Sequence, residues 1–134
     1  MTNSHYIIPY LSLMQRAGID DEGSQSDVII TREQFEKLMS AMLRHVDVDE
    51  DWYRDAYPDV DEAIRTGKVL SAKDHFVASG YFEGRKCGRA EVDEQWYLAE
   101  YPDVAEGIEL GEFISAQQHF DSHGEKEGRL PHPL

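Results

Sequence analysis

Val48-Asp49-Glu50-Asp51-Trp52-Tyr53-Arg54-Asp55-Ala56-Tyr57-Pro58-Asp59-Val60 is followed, 44 residues on, by Val92-Asp93-Glu94-Gln95-Trp96-Tyr97-Leu98-Ala99-Glu100-Tyr101-Pro102-Asp103-Val104. The same offset relates His75-Phe76 to His119-Phe120 and Glu83-Gly84-Arg85 to Glu127-Gly128-Arg129. Laid over each other without a gap, residues 48–85 and 92–129 agree at 20 of 38 positions, where average residue usage gives about two or three by chance. Self-similarity at such a period predicts two tandem copies of one structural unit.

The punctuation inside each copy predicts short helices. Asp49 is placed to cap a helix carrying Trp52 and Tyr53, which must end near Tyr57 because the residue before a proline is pushed out of the helical region. Pro58 suits the first position of a second helix, where its missing N–H is not needed. That helix runs through Val60 and Ile64 to Gly67, a natural left-handed cap. A third begins at Ser71, has Asp74 at the capping-box position, carries His75 and Phe76, and is expected to stop at Gly80. The second copy repeats this with Asp93, Pro102, Gly111, Ser115 with Gln118, and Gly124. Helices this short need packing partners, so the aromatic faces are expected to pack within each copy and against the next, as one body.

Residues 1–45 lie outside the repeat. Tyr6, Ile7, Tyr10, Leu11, Leu13, Met14 and Ala17 recur at helical spacing up to Gly18, and residues 20–27 read as a polar, acidic loop. Thr31-Arg32-Glu33-Gln34 is a capping box followed by Phe35, Leu38, Met39, Met42 and Leu43 on one apolar face. A helical hairpin follows, serving as a cap on the repeats or as a dimerisation element. The only β-rich stretch, Val28-Ile29-Ile30-Thr31, is short, and nowhere is strict alternation sustained. The reading is all-α: an N-terminal helical hairpin over 1–45, a first repeat over 46–89 and a second over 90–134.

Composition bounds the partners. The 134 residues hold 27 Asp and Glu against 13 Lys and Arg, a formal charge of −14. An acidic surface repels nucleic acid and anionic headgroups, which argues against both as partners. Seven Tyr, five Phe and two Trp are more than an acidic disordered tail carries. The single cysteine, Cys87, cannot form an internal disulfide. No apolar stretch approaches the ~18 residues of a membrane span, and the first residues lack a basic signal-like segment. These readings make a cytoplasmic protein the expectation.

The motifs also resemble something known. Trp96-Tyr97-Leu98-Ala99-Glu100-Tyr101-Pro102-Asp103-Val104, then Ala116 to Phe120, Gly124 and Glu127-Gly128-Arg129-Leu130-Pro131, is similar to a bacterial repeat of about forty residues found beside glycosyltransferases and in surface-polysaccharide-associated proteins. The first copy departs from that pattern at Arg54, where Leu98 stands in the second, and at Cys87-Gly88, where a proline is usual. The resemblance covers residues 48–131. It implies an accessory or interaction module in surface-glycan biology and brings no catalytic residues with it.

Candidate sites follow from the repeated residues. Arg85 and Arg129 are of the type that binds sugar phosphate or carboxylate through two parallel hydrogen bonds. The competing reading pairs Arg85 with Asp59 and Arg129 with Asp103 inside each copy, and the recurrence at every period favours it. Trp52, Tyr53 and Tyr57, with Trp96, Tyr97 and Tyr101, can offer stacking faces to sugar rings or form the core; core is the favoured role. His75 and His119 read as buried, hydrogen-bonded histidines without a catalytic partner. His119 and His123 have metal-ligand spacing, with Glu125 and His132 nearby, but Ser79 replaces the second histidine in the first copy and no metal is expected. Asp47, Asp49, Glu50 and Asp51 lack the glycine and final glutamate of a calcium loop and read as helix N-terminal charge.

The function expected from these readings is a non-catalytic adaptor or regulator in bacterial surface-polysaccharide biosynthesis, with no cofactor. Its partner would be a glycosyltransferase or polysaccharide-assembly protein, with homodimerisation as a further option. The alternatives are a small-ligand receptor for a sugar, nucleotide or other anion using the two arginines, and a structural homo-oligomer.

Overall fold

The computed structural model describes residues 8–19 and 27–134. The described residues form eight α-helices and no strand, so the chain is all-α there. None of these helices is long and apolar enough to cross a membrane. By its contacts the chain divides into two compact units, 1–88 and 89–134, where the sequence reading expects one body.

In the first unit, α1 (Tyr10–Ala17) and α2 (Arg32–Leu43) form the expected hairpin arms. The Thr31 hydroxyl accepts from the Gln34 N–H at 3.1 Å, and the Gln34 carbonyl oxygen accepts from the Thr31 N–H at 2.9 Å, completing the capping box. Gln34 also donates from Nε2 to the Gly18 carbonyl at 2.8 Å, tying the start of α2 to the end of α1. Met14, Ala17 and Ile19 make a small core with Ile30 and Leu38. Tyr6, Ile7 and most of the expected loop fall outside the described residues.

The single apolar face expected for α2 is instead divided among three directions. Leu38 faces α1, while Leu43 enters the core of the following segment with Tyr53, Val60, Ala72, Phe76 and Val77. Phe35 and Met42 remain exposed. The Ser40 hydroxyl donates to the Val77 carbonyl at 3.2 Å, and Arg44 pairs with Asp74 at 2.6 Å, fixing the end of α2 on the helices that follow.

That following segment holds α3 (Glu50–Ala56), α4 (Pro58–Arg65) and α5 (Ala72–His75), the last continued by a π-turn over Phe76–Gly80. The Asp49 carboxylate accepts from the Trp52 N–H at 3.0 Å. Tyr57 leaves helical geometry at φ −127°, ψ 81°, as the proline after it requires. The Ser71 hydroxyl accepts from the Asp74 N–H at 3.1 Å.

The second unit holds α6 (Glu94–Glu100), α7 (Pro102–Glu109) and α8 (Ala116–His119), with a π-turn over Phe120–Gly124. Its caps are Asp93, accepting from Trp96 at 3.1 Å, and Ser115, accepting from Gln118 at 3.1 Å. Tyr97, Val104, Ala116 and Phe120 form its core, covered by Val92, Trp96, Tyr101 and Ile108. Each unit thus closes a core from its own residues.

The third helical segments end where the sequence places them, at Gly80 and Gly124, but neither glycine is left-handed. The chain stays right-handed at Tyr81 and Glu125, and the π-turns close through Tyr81 N–H to Phe76 O at 2.9 Å and Glu125 N–H to Phe120 O at 3.1 Å. The left-handed residues are Gly84 (φ 79°) and Gly128 (φ 77°), the central residues of the two Glu-Gly-Arg motifs. The next N–H, of Arg85 or Arg129, reaches back to Gly80 O at 2.8 Å or Gly124 O at 2.9 Å in a helix-terminating turn. The glycine of the motif is therefore a cap, and it aims the arginine back at the body of the unit.

Candidate functional site

Arg85 emerges from that turn against the start of α4. Its Nη1 and Nη2 donate to the two oxygens of Asp59 at 2.9 and 2.7 Å, and its Nε donates to Glu83 at 2.8 Å. The guanidinium carbon lies 4.9 Å from the centre of the Tyr57 ring. The Tyr57 hydroxyl accepts from the Lys86 N–H at 2.9 Å. Arg129 makes the same set: Asp103 at 2.9 and 2.7 Å, Glu127 at 2.7 Å, and the Tyr101 ring at 4.9 Å. The Tyr101 hydroxyl accepts from the Leu130 N–H at 3.0 Å.

Tyrosine, aspartate and arginine thus form one clamp. The forked geometry uses both faces of the Asp–Arg match, and the tyrosine supports the guanidinium from below. The pairing of Arg85 with Asp59 and Arg129 with Asp103, one of the two roles considered for these arginines, is the one the side chains adopt. The hydrogen bonds from Arg85 hold the Asp59 carboxyl down to about 2, and those from Arg129 lower Asp103 in the same direction. Both arginines are shifted upward by their carboxylates. The Asp59 and Asp103 side chains are 63% and 62% exposed, so solvent screens much of this attraction and geometry, more than energy, is what the clamp supplies.

Beneath each clamp lies a tyrosine–histidine pair. The Tyr53 hydroxyl is 3.0 Å from His75 Nδ1, and the Tyr97 hydroxyl is 2.9 Å from His119 Nδ1. Tyr53 and Tyr97 are fully buried. Burial pushes the Tyr53 hydroxyl up to about 12 and raises Tyr97 in the same direction. His119 is buried, and desolvation, followed by the nearby Arg129, lowers its pKa. A Cβ built on Gly80 or Gly124 would collide with the hydroxyl of Tyr53 or Tyr97. These glycines are small because a tyrosine oxygen occupies the space beside them.

The aromatic residues proposed as sugar platforms therefore divide. Tyr53 and Tyr97 have no exposed surface and offer no face to a ligand. Tyr57 and Tyr101 are half-buried, 4.7 Å edge-to-face from Tyr53 and Tyr97 and occupied on the other side by arginine. Trp52 and Trp96 are half-buried against the two cores, each 6.1 Å from the tyrosine of its clamp. All ten candidate residues, Trp52, Tyr53, Tyr57, Asp59 and Arg85 with Trp96, Tyr97, Tyr101, Asp103 and Arg129, thus gather in two matching clusters, one per unit.

The second unit has an additional ring group. Phe113 meets His119 at 4.6 Å and His123 at 5.6 Å, and the two histidines stack 5.8 Å apart. Among the described residues no group of three or more His, Cys, Asp or Glu is placed to hold a metal ion.

Sequence reasoning missed two roles here: the tyrosine hydroxyl as the partner of each histidine, and the glycine five residues after that histidine as the gap that admits the hydroxyl. Both have a sequence signal, since Tyr53, His75 and Gly80 recur together at Tyr97, His119 and Gly124. With this geometry in view, the chain was compared with known proteins: no family model matches it, and neither the curated proteins nor the solved structures contain a match.

Proposed function

We propose that this chain is a non-catalytic adaptor, built from an N-terminal helical hairpin and two tandem copies of one helical unit, that serves bacterial surface-polysaccharide biosynthesis in the cytoplasm. Its partner in this reading is a glycosyltransferase or another component of polysaccharide assembly. The pathway rests on the resemblance of the Tyr-Pro-Asp-Val and Glu-Gly-Arg motifs. The interaction role rests on one observation: Leu70 and Ile114, which hold the same register 44 residues apart, are both 87% exposed. In this reading a partner surface covers that aliphatic side chain in each copy.

The receptor alternative is less well supported. An anionic ligand at Arg85 or Arg129 would have to displace a carboxylate that is already forked onto the guanidinium and tethered through the same unit.

Affinity capture from lysate of the source bacterium, using the full chain and a Leu70→Asp/Ile114→Asp variant, tests the proposal. Recovery of a glycosyltransferase or polysaccharide-assembly protein by the native chain, lost in the variant, is the expected result. Equal recovery by both, or recovery of no such protein, overturns it.

A further inference from the structure

Helix α2 has three sides and uses two of them. Gln34 and Leu38 face α1, and Ser40, Leu43 and Arg44 face the π-turn helix of the same unit. The third side carries Phe35, Met39 and Met42 at i, i+4 and i+7, which places them in one stripe along the helix. Phe35 is 49% and Met42 38% exposed, and Met39 is half-buried. A solvent-facing side of a helix is ordinarily polar; this one is aromatic and thioether. We propose that this stripe is the interface of a homodimer, in which α2 packs antiparallel against α2 of a second copy across a twofold axis passing close to Met39.

Three observations single out a second copy as the occupant. A twofold axis near the centre of the stripe sets it against itself, as in an isologous contact: Phe35 of one chain meets Met42 of the other, and the Met39 side chains meet each other. Aromatic–sulfur contact suits the first pair.

Charge supplies the second observation. The chain carries −14, yet α1 and α2 together hold Arg16, Arg32 and Lys37 against Glu33 and Glu36. Two copies meeting through these helices avoid bringing two acidic surfaces together.

The third is area. Tyr10 and Leu11 of α1 are each 61% exposed, and Val28 and Ile29, just before α2, are 68% and 94% exposed. With the stripe, these side chains supply apolar surface toward the ~800 Å² each partner gives a standard interface. This inference is independent of the proposed pathway.

Sedimentation equilibrium of the full chain over a concentration series, at low and high salt, reads the association directly. The expected result is a monomer–dimer equilibrium that tightens with salt, since salt screens the repulsion of the remaining acidic surface. Phe35→Lys and Met42→Lys should each weaken it by about tenfold or more, with unchanged circular dichroism, while Leu70→Lys should leave it intact. A second test does not depend on those variants folding: Met39→Cys in a Cys87→Ser background, mildly oxidised, should give a disulfide-linked dimer. A chain that stays monomeric throughout, a dimer insensitive to both stripe substitutions, or no cross-link through position 39 overturns the proposal.

Discussion

Gly80→Ala is a substitution whose usual sign the structure reverses. In an exposed helix, replacing glycine by alanine stabilises by about 1 kcal/mol through propensity alone. At position 80 the new methyl would collide with the Tyr53 hydroxyl and lie 3.2 Å from His75 Nδ1. Tyr53 is fully buried, packed edge-to-face against Tyr57 at 4.7 Å and Phe76 at 6.2 Å, so its ring has nowhere to swing. Overpacking of this kind costs about 1–3 kcal/mol, and a hydroxyl forced off its histidine partner costs about 1–3 kcal/mol more. Set against the propensity gain, the net effect is a destabilisation of roughly 1–5 kcal/mol. The chain has two tryptophans, Trp52 in the first unit and Trp96 in the second. Urea unfolding followed by fluorescence in a Trp96→Phe background therefore reports on the first unit. Combining Gly80→Ala with Tyr53→Phe removes the colliding oxygen and should recover part of the loss. A neutral or stabilising Gly80→Ala, or a double variant no better than the single, would refute the reasoning.

Three further predictions follow from the clamps and the second unit. In Arg85→Lys the forked contact is lost, so the Asp59 carboxyl should climb from about 2 toward 3.8 in an NMR pH titration; a value that stays put would contradict the assigned cause. His119 is held neutral in the fold with its pKa below 6.5, so the unfolded chain takes up the proton first as pH falls. Trp96-reported stability should accordingly be level above neutrality from this group, decline as pH drops below about 6.5, and flatten in His119→Gln. Gly107→Ala places a methyl 2.8 Å from the Phe113 ring, whereas the first copy holds Ala63 and Val69 at these two positions. It should destabilise the second unit, and adding Phe113→Val should restore it with a coupling of about 0.5–3 kcal/mol, measured by the same fluorescence assay.

Much of the local structure is legible in the sequence because its determinants are local. Aspartate, serine and threonine caps, proline at the first helical position and the Thr31–Gln34 box depend on neighbours three residues away. The role of the glycines near the ends of the third helices is not legible by the same logic. Glycine carries two distinct meanings, a left-handed cap at Gly84 and Gly128 and a gap for a tyrosine oxygen at Gly80 and Gly124. Only the tertiary position of Tyr53 and Tyr97 separates them. The divided face of α2 is hidden for a similar reason. Leu43, Leu38 and Met42 share one hydropathy class, and which of them is covered depends on where the following helices dock. The docking surface itself carries a signal: Val77, Ala78 and Phe82 stand in the first copy where the second has Asp121, Ser122 and Lys126. The arginines were legible as a choice between two partners, because residue type and spacing specify a carboxylate or phosphate contact without saying which molecule supplies it.

The central claim is that the repeated Tyr-Pro-Asp-Val and Glu-Gly-Arg residues hold each unit together and leave partner binding to other surfaces. The most direct test is a double-mutant cycle between Asp103 and Arg129, using Asp103→Ala, Arg129→Ala and the pair. Urea unfolding reported by Trp96 would be read alongside partner capture under conditions where every variant is folded. The account predicts a favourable coupling between the two residues in stability and undiminished capture of the same partner by each folded variant. Zero coupling, or folded variants that no longer capture the partner, would contradict it.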